Sequence, residues 1–240
     1  MTTLSGQMLA KRYGARNVVR DIDIDVRQGE VVGVLGPNGA GKTTTFYMLA
    51  GIVPPTRGQV VLDGVDITRW PLHKRARMGM SYLPQESSIF RKLTVRQNLQ
   101  IMLEYSGFSR EEQKKTADRL LEELGINRLE GQLAAHLSGG ERRRLEIARA
   151  LIRDPKFILL DEPFAGIDPL AVDDIQAIVE GLKAKGIGVL ISDHNVRETL
   201  QICDRAYLVY DGRIILSGSP EEIVADPGAR KVYLGEGFSL

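Results

Sequence analysis

The sequence predicts an α/β fold: a mostly parallel core sheet, an antiparallel β subdomain and an inserted helical subdomain. Three observations carry this. The runs "EVVGVL" (30–35), "KFILLD" (156–161) and "GVLISD" (188–193) each hold an uninterrupted apolar stretch of four or five residues, as strands buried on both faces of a parallel sheet do. Helical patterns separate them, giving the β-α-β rhythm of the class. Residues 94–135, by contrast, hold no strand-like run.

The elements follow in order. Residues 3–10 and 18–27 read as strands, and "DIDIDV" in the second alternates strictly, as a half-buried antiparallel strand does. The run 30–35 leads through a glycine-rich turn into the helical pattern from Phe46 to Leu49. "VRQNLQIMLEYSG" and "REEQKKTADRLLEELGI" space their apolar residues as helices do. Residues 87–136 are thus expected to form the helical subdomain, within a core built from 1–86 and 137–240. "LSGGERRRLEIARAL" opens with Ser138 and Glu141 as a capping box and places Leu145, Ala148, Leu151 and Ile152 on one face. Arg142 to Arg144 read as its solvated face. "RAYLVYDGRIILSG" reads as a hairpin turned at Asp211-Gly212, a dipeptide suited to a type I′ turn. "SPEEIV" opens a helix with Ser219 as N-cap, Pro220 at the first position and Glu222 completing the box.

The chain has 240 residues, a net charge of +1 and one cysteine. So small a charge recruits neither nucleic acid nor anionic lipid. Cys203 cannot form an internal disulfide, and its place beside Leu200 and Ile202 marks a buried structural thiol. The N-terminus lacks the apolar core of a signal peptide, and no apolar run approaches the ~18 residues of a membrane span. A cytosolic chain is expected, held at a membrane only through partners.

The chemistry begins at "LGPNGAGKTTT". Gly36, Gly41, Lys42 and Thr43 match G-x-x-x-x-G-K-[ST], after a buried strand and before a helix, which is the context a phosphate-binding loop requires. Backbone N–H groups from Gly36, Pro37, Asn38, Gly39, Ala40, Gly41 and on to Thr44 would wrap a nucleotide's phosphates, with the proline contributing shape but no donor. Bulky side chains would block that approach. Lys42 would meet the β- and γ-phosphates, and the Thr43 hydroxyl would hold Mg²⁺. "KFILLDEP" ends a strand in two carboxylates: Asp161 is placed for the Mg²⁺ shell and Glu162 to polarise an attacking water. Together these predict a P-loop nucleoside triphosphatase. His73 and His136 lack such context and read as surface or helix-end residues.

Gly139 and Gly140 weaken the first turn of their helix by roughly 1 kcal/mol each, and a bare helix N-terminus is an anion site. "LSGGE" between the P-loop and "ILLDEP" resembles the signature of ABC-transporter ATPase subunits, and the resemblance covers the whole chain. It implies a homodimer paired head to tail, in which Ser138, Gly139 and Gly140 of one copy face the ATP held by the other. It further implies that Tyr13 stacks on adenine, that Gln85 in "YLPQE" touches Mg²⁺ and the attacking water, that Asp168 in "GIDP" communicates across the dimer, and that His194 in "SDHNV" bonds the γ-phosphate. The stretches "SSIFRKLTV" and "VYLGEGFSL" resemble the lipopolysaccharide-export branch of the family. That implies an ATPase on the cytoplasmic face of the inner membrane, serving two permease subunits of LptF and LptG type and an anchored, periplasmic-facing LptC-type subunit. Phe90 would receive the permease. Its other reading is core packing of the insert. The apolar tail would dock on a partner copy or fold back on its own domain. A branched-chain amino-acid importer ATPase and a soluble ABC ATPase acting on DNA or ribosomes are the alternative functions.

Overall fold

A computed structural model describes residues 2–235 and 237–240. In chain order the elements are β1 (Thr3–Tyr13), β2 (Arg16–Arg27), β3 (Val31–Leu35), α1 (Lys42–Ala50), β4 (Arg57–Leu62), β5 (Val65–Asp66), α2 (Leu72–Arg77) and β6 (Met80–Leu83). Then come α3 (Val95–Leu103), α4 (Arg110–Glu123), α5 (Gly139–Ala150), β7 (Phe157–Asp161), α6 (Pro169–Ala184) and β8 (Gly188–Ser192). The chain closes with α7 (Val196–Ile202), β9 (Arg205–Tyr210), β10 (Arg213–Gly218) and α8 (Pro220–Ala225). Among the described residues no helix is long and apolar enough to cross a membrane.

The described strands form two sheets, a four-stranded β2-β1-β4-β5 and a six-stranded β10-β9-β3-β8-β7-β6. The first is antiparallel throughout. In the second, β6, β7, β8, β3 and β9 run parallel, and β10 closes the edge antiparallel to β9. The three continuous apolar runs are adjacent central strands, as their composition demands: every residue of β3, β7 and β8 is buried. Asp211 and Gly212 both take positive φ, 45° and 76°, the type I′ geometry their sequence favours. Ser219 caps α8, with Glu222 closing the box, and Ser138 does the same for α5 with Glu141.

Residues 94–135 carry α3 and α4, and their one ladder contact among the described residues is an isolated bridge from Thr94 to Leu133. Leu99, Leu103, Leu120 and Leu121 of these helices join one apolar cluster with Leu145 of α5 and with Ile158 and Ile191 under the central sheet. The inserted helices are therefore bonded to the sheet through α5. The tail folds back: Tyr233, Leu234 and Phe238 pack on Leu35, Leu208 and Ile223, while Glu236 lies outside the described residues. Cys203 is buried, and burial pushes its thiol pKa well up, so it stays protonated.

One long-range contact was not legible from sequence. Arg75 of α2 is fully buried. Its guanidinium donates to the carbonyls of Trp70 and Met48 at 2.8 Å, of Thr68 at 3.0 Å, and of Leu49. Met48 and Leu49 lie in the last turn of α1, where helical carbonyls run out of i+4 partners and only Met48 is also reached by a cap, the Gly51 N–H at 3.2 Å. Burial lowers the Arg75 pKa to about 10, against the pull of Asp66, so it remains charged at neutral pH. Arg75→Met should remove a donor from four carbonyls, two of them buried, and lower stability by about 2 kcal/mol, read as the midpoint of urea unfolding.

Candidate functional site

The turn from β3 into α1 is shaped by backbone crowding. Gly36 has φ 146°, and a Cβ there would stand 2.1 Å from the Val209 carbonyl oxygen. Gly41 has φ 109°, and its Cβ would fall 2.8 Å from the Val18 carbonyl oxygen. Gly39, at φ 78°, has open space around it. A bound phosphate alone does not account for this bareness. At 36 and 41 the crowding comes from the protein's own strands. The turn walls a cavity of about 280 Å³, together with Arg16 and Val18 of β2 and Glu162. Asn38, Gly39, Gly41, Lys42, Thr43 and Thr44 all face it. Lys42 is buried and folds its ammonium back on the turn, donating to the carbonyls of Gly36 at 2.6 Å and Pro37 at 3.1 Å. Burial lowers its pKa, while Glu162, Asp161 and Asp193 pull it up. Tyr13 ends β1 opposite Arg16, beside the cavity and outside its wall. Its ring carries the Lys11 ammonium 5.1 Å from the centroid.

Two parallel strands deliver the acidic groups. Asp161 ends β7 in register with Ser192 at the end of β8. It is buried; Oδ2 accepts a 3.2 Å hydrogen bond from the Tyr82 hydroxyl, and Oδ1 has no partner. Burial pushes its pKa up to about 6; the Glu162 charge adds to this, and Tyr82, Arg143 and Lys42 oppose it. Glu162 takes φ 49°, a left-handed conformation that strains a residue with a side chain. Its N–H donates to the Ser192 carbonyl at 2.6 Å. Its carboxylate accepts from Gln85 Nε2 at 2.7 Å and lies 3.3 Å from His194 Nδ1. Gln85, Glu162 and His194 thus meet at one point.

Sequence reasoning missed the groups that hold this cluster. Asp193 is fully buried and accepts from the N–H groups of Phe164 and Asn195, both at 2.9 Å, tying the exits of β7 and β8 together. Burial raises its pKa. The only signal for it was its place beside His194. The reading of Arg142 to Arg144 as a solvated face is corrected at Arg143. Arg143 and Glu146 are buried and paired at 3.0 Å. Arg143 also donates to the carbonyls of Pro84 at 3.1 Å and Asp161 at 3.2 Å, and Glu146 accepts from the Ser88 N–H at 3.1 Å. α5 packs over β6 and β7, so these side chains reach backbone that periodicity alone could not anticipate.

Ser138, Gly139 and Gly140 lie apart from the cavity wall. A Cβ at Gly139 would stand 2.8 Å from the Gly166 carbonyl oxygen, and one at Gly140 2.9 Å from Ala171 Cβ. The glycine pair lets the loop bearing Asp168 lie directly on the start of α5. His73 and His136 are exposed.

The residues fit a divalent cation. Asp161 Oδ1 is buried without a partner, just behind the cavity that Thr43 and Glu162 line. Among the described residues no group of three or more His, Cys, Asp or Glu could hold a metal.

A glycine turn feeding a helix, with a lysine on the turn and a strand-end Asp-Glu pair beside it, defines a P-loop nucleoside triphosphatase. The model of the family "ABC transporter" matches residues 19–165, and that of "Branched-chain amino acid ATP-binding cassette transporter" matches 213–239. The chain is 56% identical to the lipopolysaccharide export system ATP-binding protein LptB of Acidithiobacillus ferridurans, over 99% of this chain and 98% of that one. Among solved structures, an ATP-binding cassette of an ABC transporter in its ADP conformation superposes with a TM-score of 0.88, 30% identity and coverage of 98% of this chain and 100% of that one. A dimeric cassette in a post-hydrolysis state, bound to ADP and Pi, matches with a TM-score of 0.79 at 25% identity, over 90% of this chain and 98% of that one. The chain belongs to the ABC transporter family, as one of its ATP-hydrolysing cassettes.

Because burial raises the Asp161 pKa from 3.8 to about 6, the folded protein binds this proton more tightly than the unfolded chain. The group's contribution to stability therefore falls as pH rises from about 4 to about 6, and is constant above. Asp161→Asn should stabilise the nucleotide-free protein at pH 7.5 by up to about 3 kcal/mol and much less at pH 4, measured by urea unfolding at both pH values.

Proposed function

We propose that this chain is the ATPase subunit of a transporter that extracts lipopolysaccharide from the inner membrane for export. The observation that carries this reading is identity of 56% to an LptB protein, spread over 99% of the chain rather than confined to the ATP motifs. In this reading Lys42 and the turn's N–H groups bind the β- and γ-phosphates. Thr43, Asp161 and Gln85 would hold Mg²⁺, which would supply charge neutralisation on the phosphates. Glu162 accepts a hydrogen bond from the attacking water, and Gln85 and His194 keep its carboxylate pointed at the cavity. Tyr13 provides a face for adenine.

Two copies pair head to tail, so that Ser138, Gly139 and Gly140 of one meet the γ-phosphate held by the other, and Asp168 relays between them. Support comes from the separation of the signature from the cavity within one chain, and from the dimeric relative. The permease subunits of LptF and LptG type, with the LptC type, dock near Phe90 and hold the chain at the cytoplasmic face of the membrane. Phe90 is 42% exposed, which argues against the core reading. Its backbone is clamped by Asn98, through 2.8 Å and 3.1 Å hydrogen bonds, and the Arg149 guanidinium lies 5.0 Å from the ring centroid. A cavity of about 290 Å³ opens alongside, lined by Leu72, Met80, Leu83 and Met102. Export is preferred to branched-chain amino-acid import, which the match at 213–239 favours, because that match covers only the end of the chain.

Glu162→Gln should slow hydrolysis by at least about a hundredfold and, with excess ATP, elute as a dimer on gel filtration; a monomer there would oppose the pairing. Pull-down from detergent-solubilised membranes should recover permease subunits of the export type, and importer permeases would overturn the cargo assignment. Phe90→Ala should lose that capture, at a cost of about 2 kcal/mol or more in binding, while the isolated subunit melts at the same temperature.

A further inference from the structure

We propose that Tyr82 is a positioning residue of the metal site: its hydroxyl holds one oxygen of Asp161, and so leaves the other turned free for the cation. The inference rests on the reading of Asp161 as a metal ligand. Tyr82 is the third residue of β6, beside β7 in the parallel sheet. Its hydroxyl donates to Asp161 Oδ2 at 3.2 Å, and Oδ1 of the same buried carboxylate has no partner. A carboxylate at a strand end can rotate about its Cβ–Cγ bond, a soft torsion with two broad wells. A single donor on one oxygen removes that freedom and distinguishes the two oxygens. Partners of this kind, one bond behind the ligand, set ligand orientation in metal sites.

The tyrosine is itself fixed. Its ring meets Tyr47 edge-on, with centroids 6.2 Å apart and an interplanar angle of 86°. Tyr47 belongs to α1, the helix that begins at Lys42. Three residues after Tyr82 comes Gln85, bonded to Glu162. One aromatic pair therefore joins the phosphate-turn helix, the strand leading to Gln85 and the metal-binding aspartate. Movement of α1 when phosphates bind would reach Asp161 through this pair.

Tyr82→Phe keeps the ring on Tyr47 and deletes only the hydroxyl. With a fluorescent ATP analogue, the Mg²⁺ concentration giving half-maximal tightening of nucleotide binding should rise about tenfold, and binding in EDTA should not change. The melting temperature of the nucleotide-free variant should match the parent within a few degrees. An unchanged Mg²⁺ midpoint, an equal loss of affinity in EDTA, or a melt lowered by ten degrees would each overturn the proposal. Asp161→Asn serves as the second arm. If it shifts the Mg²⁺ midpoint and Tyr82→Phe does not, the tyrosine's role fails alone; if neither shifts it, the metal reading of Asp161 fails and takes the tyrosine's role with it.

Discussion

The carbonyl oxygen of Val209 occupies the space where a side chain at position 36 would begin, only 2.1 Å from an ideal Cβ. That contact sets the path of the phosphate turn, because it packs the turn backbone to backbone on the end of β9. The same crowding recurs on the other side. Val18 of β2 turns its carbonyl toward both Gly41 and Gly212, whose Cβ atoms would fall 2.8 Å and 2.6 Å away. Gly212 N–H donates to the Ala40 carbonyl at 2.9 Å, and its own carbonyl accepts from Arg20 N–H at 2.7 Å. The β9–β10 turn is thus a strut between the antiparallel sheet and the phosphate turn. Three chain segments distant in sequence meet there with almost no side chain between them, which makes the geometry stiff and intolerant of any Cβ.

The second constraint is the level edge of the parallel sheet. β7 and β8 are paired so that Asp161 lies opposite Ser192. The chain then turns left-handed at Glu162, a conformation that costs a non-glycine residue on the order of 1 kcal/mol. The hydrogen bond from Glu162 N–H to Ser192 offsets part of that cost, and the strain performs a task. It separates two consecutive carboxylates, one buried against Tyr82 and the other turned into the cavity wall. Buried Asp193 then holds both strand exits at fixed distance. Neighbouring acids acquire unlike environments, and unlike environments allow unlike roles.

Local features were legible in the sequence. The capping boxes at Ser138 and Ser219, the turn at Asp211-Gly212 and the three buried strands depend on residues close together in the chain, and composition reports them directly. The meeting of Gln85, Glu162 and His194 was reached only through resemblance, since nothing in their spacing brings three loops together. Arg143 and Arg75 were not legible at all. Each is an arginine on a helix whose pattern allows a solvated side chain, and each is buried because backbone carbonyls from another element happen to face it. The glycines were half-legible: their positions pointed to close approach, but the approaching group at 36, 41, 139 and 140 is the protein itself. β4, β5 and α2 left no periodic signal, being short and partly exposed.

These internal contacts bear on how ATP would engage the site. Lys42 is satisfied by the Gly36 and Pro37 carbonyls, and Gln85 by Glu162. Lys42 therefore holds partners within the chain that a triphosphate must replace. For Lys42 the exchange is favourable, because a phosphate oxygen carries full charge where a carbonyl carries a dipole. Gln85 donates to Glu162 through Nε2, which leaves its amide oxygen for Mg²⁺ without breaking that bond. The loop that starts at Gln85 continues directly to Ser88, tied to Glu146 of α5, and to Phe90. The route from nucleotide to the exposed face at Phe90 is only a few residues of chain, braced at Ser88 by the Arg143–Glu146 pair beneath it. In the proposed function a change at the phosphate site would reach Phe90 through this short, anchored segment, with no need to deform the sheet that holds the carboxylates.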